Sequence, residues 1–143
     1  MEICTIGFAK KNLRTFIKKL QAAGVKKVID IRLHNTSQLA GYAKKDDLEY
    51  VLSLVGIGYE HHPDLAPTEE VLDGYKKKRI TWKEYEQKFD NILSTRHPSP
   101  NVVMDEKGPV CLLCAEDRPL QCHRRLVAEY FQKNIDDCKI LHL

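Results

Sequence analysis

The chain alternates between short apolar runs and segments with helical periodicity, beginning at its N-terminus. Glu2 to Ile6 form a short apolar stretch that stops at Gly7, which predicts a strand followed by a turn. Asn12 then precedes a helix with an apolar face formed by Leu13, Phe16, Ile17 and Leu20. Gly24 ends this helix, and residues 25–32 (VKKVIDIR) predict the second strand of a βαβ unit.

The same alternation continues to the last residues. An aspartate at 46 or 47 is expected to cap the next helix, and Thr81 with Glu84 has the spacing of a capping box. Residues 97–109 contain three prolines and a glycine, which favours a loop with a short strand at 101–104. The other predicted elements are strands at 57–62, 110–115 and 139–143, and helices at 68–78 and around Leu126, Val127, Tyr130 and Phe131.

Strands that alternate with helices predict a three-layer α/β fold with a mostly parallel sheet and helices on both faces, because parallel strands need crossover connections. A length of 143 residues favours one domain over residues 1–143. Such sheets bind ligands outside the carboxyl ends of their strands. The strand ends are therefore where a functional site is expected.

Composition narrows the class of protein. Hydrophobic residues at 43% and charged residues at 30% are typical of a folded globular chain. No apolar run is long enough to span a bilayer and the first residues lack a secretory pattern, so we expect a cytoplasmic protein without a membrane partner. Five cysteines in such a chain are expected to be reduced thiols or metal ligands. A net charge of +3 neither requires nor excludes a nucleic-acid partner.

Residues 111–125 (CLLCAEDRPLQCHRR) carry most of the reactive side chains, and they fall at a predicted junction between a strand and a helix. Pro119 is expected in the first turn of that helix, near whose positive end an anion or a thiolate is stabilised. Cys111 is three residues from Cys114 in a strand, so it points to the opposite face and is expected in the core. The predicted catalytic residues are Cys114, Glu116, Cys122 and His123.

A second set of polar residues lies at the other predicted strand ends and is expected to bind a substrate. Asp30 and Arg32 share one strand face, where they either form an ion pair that organises the sheet edge or present Arg32 to a ligand. Only one of His61 and His62 is expected in the cleft, because neighbouring strand residues face opposite ways. The predicted substrate-binding residues are Thr5, Gly7, Asp30, Arg32, His62 and Arg124.

Several uses of this cluster remain open. A thiolate at Cys114 or Cys122 could attack an electrophilic carbon or phosphorus atom. Alternatively, zinc could bind Cys114, Cys122 and His123, or the two cysteines could cycle between dithiol and disulfide. Position 120 is Leu, so the arginine of a phosphatase-type phosphate loop is missing, and neither a GxGxxG nor a Walker loop is present.

Four motifs in order along the chain, TIGF, IDIR, GIGYEH and LLCAEDRPLQCHR, resemble the family catalogued as domain of unknown function 488. The resemblance implies a compact α/β protein without an established activity. It places Asp30 and Arg32 on the family's second-strand motif, and its C-terminal motif on Cys114, Glu116, Cys122, His123 and Arg124. The chain departs from the family pattern at Ala9, where a serine is common, and at Asp64-Leu65-Ala66-Pro67, which replaces Leu-Gly-Gly.

These observations predict an enzyme that binds an anionic, phosphate-bearing substrate such as a nucleotide or nucleic acid at the carboxyl edge of the sheet. The alternatives are a binding module for phosphate or nucleic acid without catalysis, and a zinc or thiol redox site. No cofactor is assigned, with zinc as the one alternative.

Overall fold

A five-stranded parallel sheet organises the chain in the computed structural model, which describes residues 1–143. The strands are β1 (Glu2–Gly7), β2 (Lys27–Asp30), β3 (Gly58–His61), β4 (Val110–Cys114) and β5 (Lys139–His142). Their order across the sheet is β3-β2-β4-β1-β5, and all neighbouring pairs are parallel. β4 therefore lies at the centre, between β2 and β1.

Five α-helices cover the two faces of the sheet. They are α1 (Leu13–Ala22), α2 (Lys45–Leu54), α3 (Glu69–Lys76), α4 (Trp82–Arg96) and α5 (His123–Asn134). Residues of α1 and α2 pack on one face of the sheet, and residues of α3, α4 and α5 pack on the other. The predicted three-layer α/β fold is confirmed. None of these helices combines the length and the apolar character that crossing a membrane requires.

Alternation along β4 builds the two halves of the core. Cys111 and Leu113 pack among α1 and α2, whereas Val110 and Leu112 pack among α4 and α5, as the two-residue period of a strand requires. The predicted core position of Cys111 is confirmed, since the residue is fully buried.

Local sequence signals place the ends of two helices. Asn12 accepts a hydrogen bond from the Thr15 amide at 2.8 Å, and it caps α1 as predicted. Thr81 and Glu84 form the predicted capping box at the start of α4, because each side chain accepts from the other residue's backbone N–H.

Three local predictions are wrong. α2 begins at Lys45 without a side-chain cap, and the two aspartates expected to cap it lie in its first turn, where their charge favours the helix dipole. Residues Pro100–Val103 form a 3₁₀ helix instead of a strand. Pro119 precedes α5 and does not lie in its first turn; its carbonyl accepts from the Cys122 amide in the turn that leads into the helix.

Candidate functional site

A cavity of about 210 Å³ opens beyond the carboxyl ends of β2 and β4. Three chain segments meet there: the residues after β2, the turn between β4 and α5, and the facing surfaces of α3 and α4. Its lining residues are Arg32, Leu33, His34, Leu72, Tyr75, Lys76, Trp82, Tyr85, Cys114, Ala115, Glu116, Gln121, Cys122 and His123. The four residues predicted to be catalytic all line this cavity.

Cys114, Cys122 and His123 converge at the base of the cavity. Cys114 is the last residue of β4, Cys122 is the N-cap of α5, and His123 is the first residue of that helix. Their two sulfur atoms and a ring nitrogen all lie within 4.8 Å of one another, and all three residues are buried. This is the donor set in the chain that could hold a metal ion, with three ligands of the type that zinc accepts.

The His123 ring is fixed by contacts on two sides. Its Nε2 donates a hydrogen bond to the carbonyl of Ile31 at 2.6 Å, and the ring packs edge-to-face on Phe89. Because the donating nitrogen carries the proton, Nδ1 is the nitrogen with a free lone pair. That nitrogen lies 3.5 Å from the Cys114 sulfur.

The two cavity cysteines differ in acidity. The pKa of Cys114 is lowered chiefly by interaction with the Cys122 thiol, whose sulfur lies within 4.8 Å; burial opposes this shift, and the Ala115 backbone and the charge of Arg124 reinforce it. The same interaction, together with burial, raises the pKa of Cys122. Burial raises the pKa of Cys111 and, more than the nearby Glu2, that of Cys4 to about 11. Cys114 is therefore the more acidic of the two cavity thiols.

Asp30 and Arg32 form a buried, two-pronged ion pair beside this group. The Asp30 carboxylate accepts from Nε of Arg32 at 2.8 Å and from Nη2 at 2.7 Å, and it also accepts from the Tyr59 hydroxyl at 2.6 Å. Burial alone would raise the pKa of Asp30, but the hydrogen bonds and charge of Arg32 outweigh it, and the pKa is lowered. The ion pair and the cavity-facing position of Arg32, which the sequence offered as alternatives, therefore coexist.

One nitrogen of Arg32 remains available to a ligand. Nη1 of Arg32 has no hydrogen-bond partner, although every fully enclosed side-chain nitrogen or oxygen in the protein has one. Arg32 lines the cavity and is only 5% exposed, and its guanidinium carbon lies 5.3 Å from the centre of the Phe8 ring. The ion pair with Asp30 fixes this guanidinium in place, so Nη1 is an unpaired hydrogen-bond donor on a residue of the cavity lining.

Five of the six residues predicted to bind substrate do not line the cavity: Thr5, Gly7, Asp30, His62 and Arg124. Arg124 is fully buried, and it donates to the backbone carbonyls of Glu116 and Asp117 and to the Thr5 hydroxyl. A Cβ on Gly7 would overlap the Glu116 carbonyl oxygen, so Gly7 allows the close passage of this turn. Arg124, Thr5 and Gly7 thus support the turn between β4 and α5 without lining the cavity.

Neither strand-three histidine enters the cavity. His61 donates from Nε2 to the Arg32 carbonyl at 2.8 Å, which supports the chain after β2. His62, which was expected in the cleft, lies on the outer side near Glu60 and Asp64. The prediction that one of the two histidines enters the cavity is therefore wrong, since neither lines it and His62 follows the last residue of β3.

The apolar wall of the cavity was missed by sequence reasoning. Trp82 stacks on Tyr85 with ring centroids 4.7 Å apart, and Tyr75 packs against Trp82 at 5.4 Å. None of these three aromatic residues was among the predicted site residues. They lie close together in sequence at the junction of α3 and α4, but nothing in their spacing links them to Cys114.

Fold and cavity together define a parallel α/β protein with a cysteine- and histidine-lined cleft at the carboxyl edge of its sheet. The chain belongs to the family described as Domain of unknown function DUF488, which matches residues 12–131. The resemblance inferred from the sequence motifs is thereby confirmed at the level of the family. No curated protein and no solved structure gives a significant match.

Proposed function

We propose that this protein is a thiol-dependent enzyme that binds a small anionic substrate in the cavity and attacks it with Cys114. The observation that carries the proposal is the Cys114 sulfur, which lines the cavity and lies 3.5 Å from Nδ1 of His123. Its pKa is lowered, whereas the core thiols of Cys4 and Cys111 have raised pKa values. Thiolates are the reactive form of cysteine, so this environment favours nucleophilic chemistry.

The surrounding groups support one sequence of events. The anionic part of the substrate accepts hydrogen bonds from Nη1 of Arg32 and from the first backbone N–H groups of α5. The Cys114 thiolate forms a bond to an electrophilic carbon or phosphorus atom, and the leaving group departs with the proton that Cys122 supplies. Water then cleaves the bond to sulfur, releases the product and returns a proton to Cys122.

The proposal is tested by the pH dependence of alkylation. Iodoacetamide labelling, mapped by mass spectrometry, should give Cys114 a half-maximal rate below the free-thiol pKa of about 8.5. Cys138 serves as an internal reference, since it is partly exposed and its pKa is raised by burial. Cys122→Ser should move the Cys114 midpoint, whereas Cys111→Ser should leave it in place. A Cys114 that is inert, or that titrates with Cys138, would refute the proposal.

A zinc site in the same three residues is the second candidate. The three donor atoms lie within 4.8 Å of one another, which favours this candidate. The Ile31 carbonyl also accepts a hydrogen bond from Nε2 of His123, which leaves Nδ1 for a metal. Zinc would protect Cys114 and Cys122 from alkylation until a chelator is added. Protein purified under reducing conditions without chelator should then contain one zinc per chain, and the Cys122→Ser variant should contain none. Metal-free protein with freely alkylated Cys114 would eliminate this candidate.

A further inference from the structure

One wall of the cavity is aromatic. Trp82, Tyr85 and Tyr75 line it and pack on one another, and Leu72 and Leu33 extend the apolar surface. Aromatic side chains bind planar rings in stacked or edge-to-face arrangements, and they gain more from a ring than from an aliphatic group of the same size. A ligand that carried only a charge would leave this wall unused.

The other end of the cavity provides hydrogen-bond donors. Arg32 lines the cavity and is only 5% exposed, and its Nη1 has no protein hydrogen-bond partner. α5 has twelve residues, and its first residue, His123, lies at the cavity, while the side chain of Cys122 does not cap the helix. An arginine donor and an open helix N-terminus that face one space form an oxyanion-binding pair.

The volume limits the size of the ligand. About 210 Å³ is smaller than the roughly 300–1,000 Å³ of pockets that hold drug-sized molecules. Two fused rings with a long substituent exceed this space, whereas one ring with one charged group suits it.

We propose that the ligand of this cavity is a small aromatic oxyanion, with a single ring against Trp82 and Tyr75 and its phosphate or carboxylate at Arg32 and the start of α5. This inference rests on the proposed function, since it names the substrate class of the same site. It adds the aromatic ring, which the cysteine chemistry does not require.

The single tryptophan of the chain supplies the test, because Trp82 lies in the cavity wall. Phenyl phosphate is titrated into the Cys114→Ser variant, which prevents turnover, and Trp82 fluorescence is followed. We expect phenyl phosphate to bind on the order of two- to tenfold tighter than cyclohexyl phosphate, as an aromatic contact predicts. Benzoate should also bind, whereas phenol and inorganic phosphate should each bind more weakly than phenyl phosphate.

Two variants distinguish a contribution of the aromatic wall to binding from a general effect on folding. Tyr75→Leu keeps the Trp82 fluorophore and should remove the preference for the phenyl over the cyclohexyl ring. Tyr50→Leu, which removes an exposed tyrosine from α2 on the opposite face, should leave it unchanged. Protection of wild-type Cys114 from alkylation by phenyl phosphate gives a second readout that needs no tryptophan signal.

Two results would overturn the inference. If inorganic phosphate binds as tightly as phenyl phosphate, the aromatic wall contributes nothing to binding. If phenol binds as tightly as phenyl phosphate, Arg32 and the start of α5 contribute nothing to binding. Either failure is distinct from failure of the proposed function, because the pH profile of Cys114 alkylation is measured without any ligand.

Discussion

Asp30 shows how one buried carboxylate sets the geometry of the site. It is fully buried and is satisfied by Arg32, Tyr59 and Asn35. Nε and Nη2 of Arg32 are thereby bound to Asp30, and Nη1 is left without a protein partner. A buried charge is costly unless its partners stay in place, so the position of Arg32 in the cavity lining depends on Asp30.

We predict that Asp30→Asn lowers the free energy of unfolding by about 3 kcal/mol at pH 7, because it leaves the Arg32 guanidinium buried without its counter-charge. The pKa of Asp30 is lowered in the folded state, chiefly by Arg32, which outweighs burial. The stabilisation is therefore complete above the unfolded pKa of about 3.9 and is lost as the pH falls through the lower folded value.

Urea unfolding of both proteins across pH measures this effect. The difference between wild type and Asp30→Asn should be constant above about pH 5 and should shrink below about pH 4. Asp136→Asn, at an exposed position, should stay within about 0.5 kcal/mol of wild type throughout. A difference that persists undiminished into strong acid would contradict the assigned ion pair.

At the scale of elements, the start of α4 positions the aromatic wall. Trp82 is the first residue of α4 and follows the N-cap Thr81 directly. The capping box therefore determines both where the helix begins and where the Trp82 ring lies. The aromatic wall thus depends on a local helix signal.

Thr81→Ala should lower the free energy of unfolding by about 1 kcal/mol, since the amide that Thr81 caps loses its partner. It should also weaken phenyl phosphate binding, because Trp82 loses its fixed position. Thermal unfolding and the fluorescence titration measure the two effects. Thr95→Ala removes an exposed threonine from the last turn of the same helix and should change neither. Equal effects of the two variants would contradict the role of the cap.

The elements that sequence predicted correctly are those governed by neighbours along the chain. Asn12 at α1 and the Thr81–Glu84 box act over three residues, so their patterns suffice. Pro119 was misplaced because the turn before α5 is held by the carbonyl contacts of Arg124. That interaction depends on tertiary packing, which overrides the preference of proline for a first helical turn.

The candidate site follows the same division. Cys114, Glu116, Cys122 and His123 are close in sequence, and their meeting at one cavity could be predicted from the junction of a strand and a helix. The aromatic wall could not be predicted, because its residues lie on α3 and α4, in the crossover between β3 and β4, and the sequence does not show where this crossover packs. Arg124 was expected to bind a ligand, but its donors are satisfied by a carbonyl-lined turn that the sequence does not show.

At the scale of the whole molecule, Arg124 ties distant parts of the chain together. From α5 it reaches the turn after β4 and the Thr5 hydroxyl of β1. Thr5 in turn lies 2.6 Å from Nδ1 of His142 in β5. One buried side chain therefore joins both termini of the chain to the turn that carries the site.

Arg124→Met should lower the free energy of unfolding by about 3 kcal/mol, because several carbonyl and hydroxyl acceptors lose a charged donor. It should also raise the pKa of Cys114, since the charge of Arg124 is among the groups that lower it. Chemical unfolding and the alkylation profile report these changes. Arg125→Met removes ion pairs with Glu86 and Glu129 on the surface, so it should cost less than about 1 kcal/mol and leave Cys114 unchanged. A Cys114 profile unaffected by Arg124→Met would refute the coupling.

The strand order has a kinetic consequence. β1 lies between β4 and β5, so Ile3 pairs with Val110 and Thr5 pairs with His142 across most of the sequence. Chains with such distant pairings fold slowly, because the entropy of closing a long loop is lost before the contacts form. β1 therefore gains its neighbouring strands only after β4 and β5 have been made, and we expect the sheet to be completed late in folding.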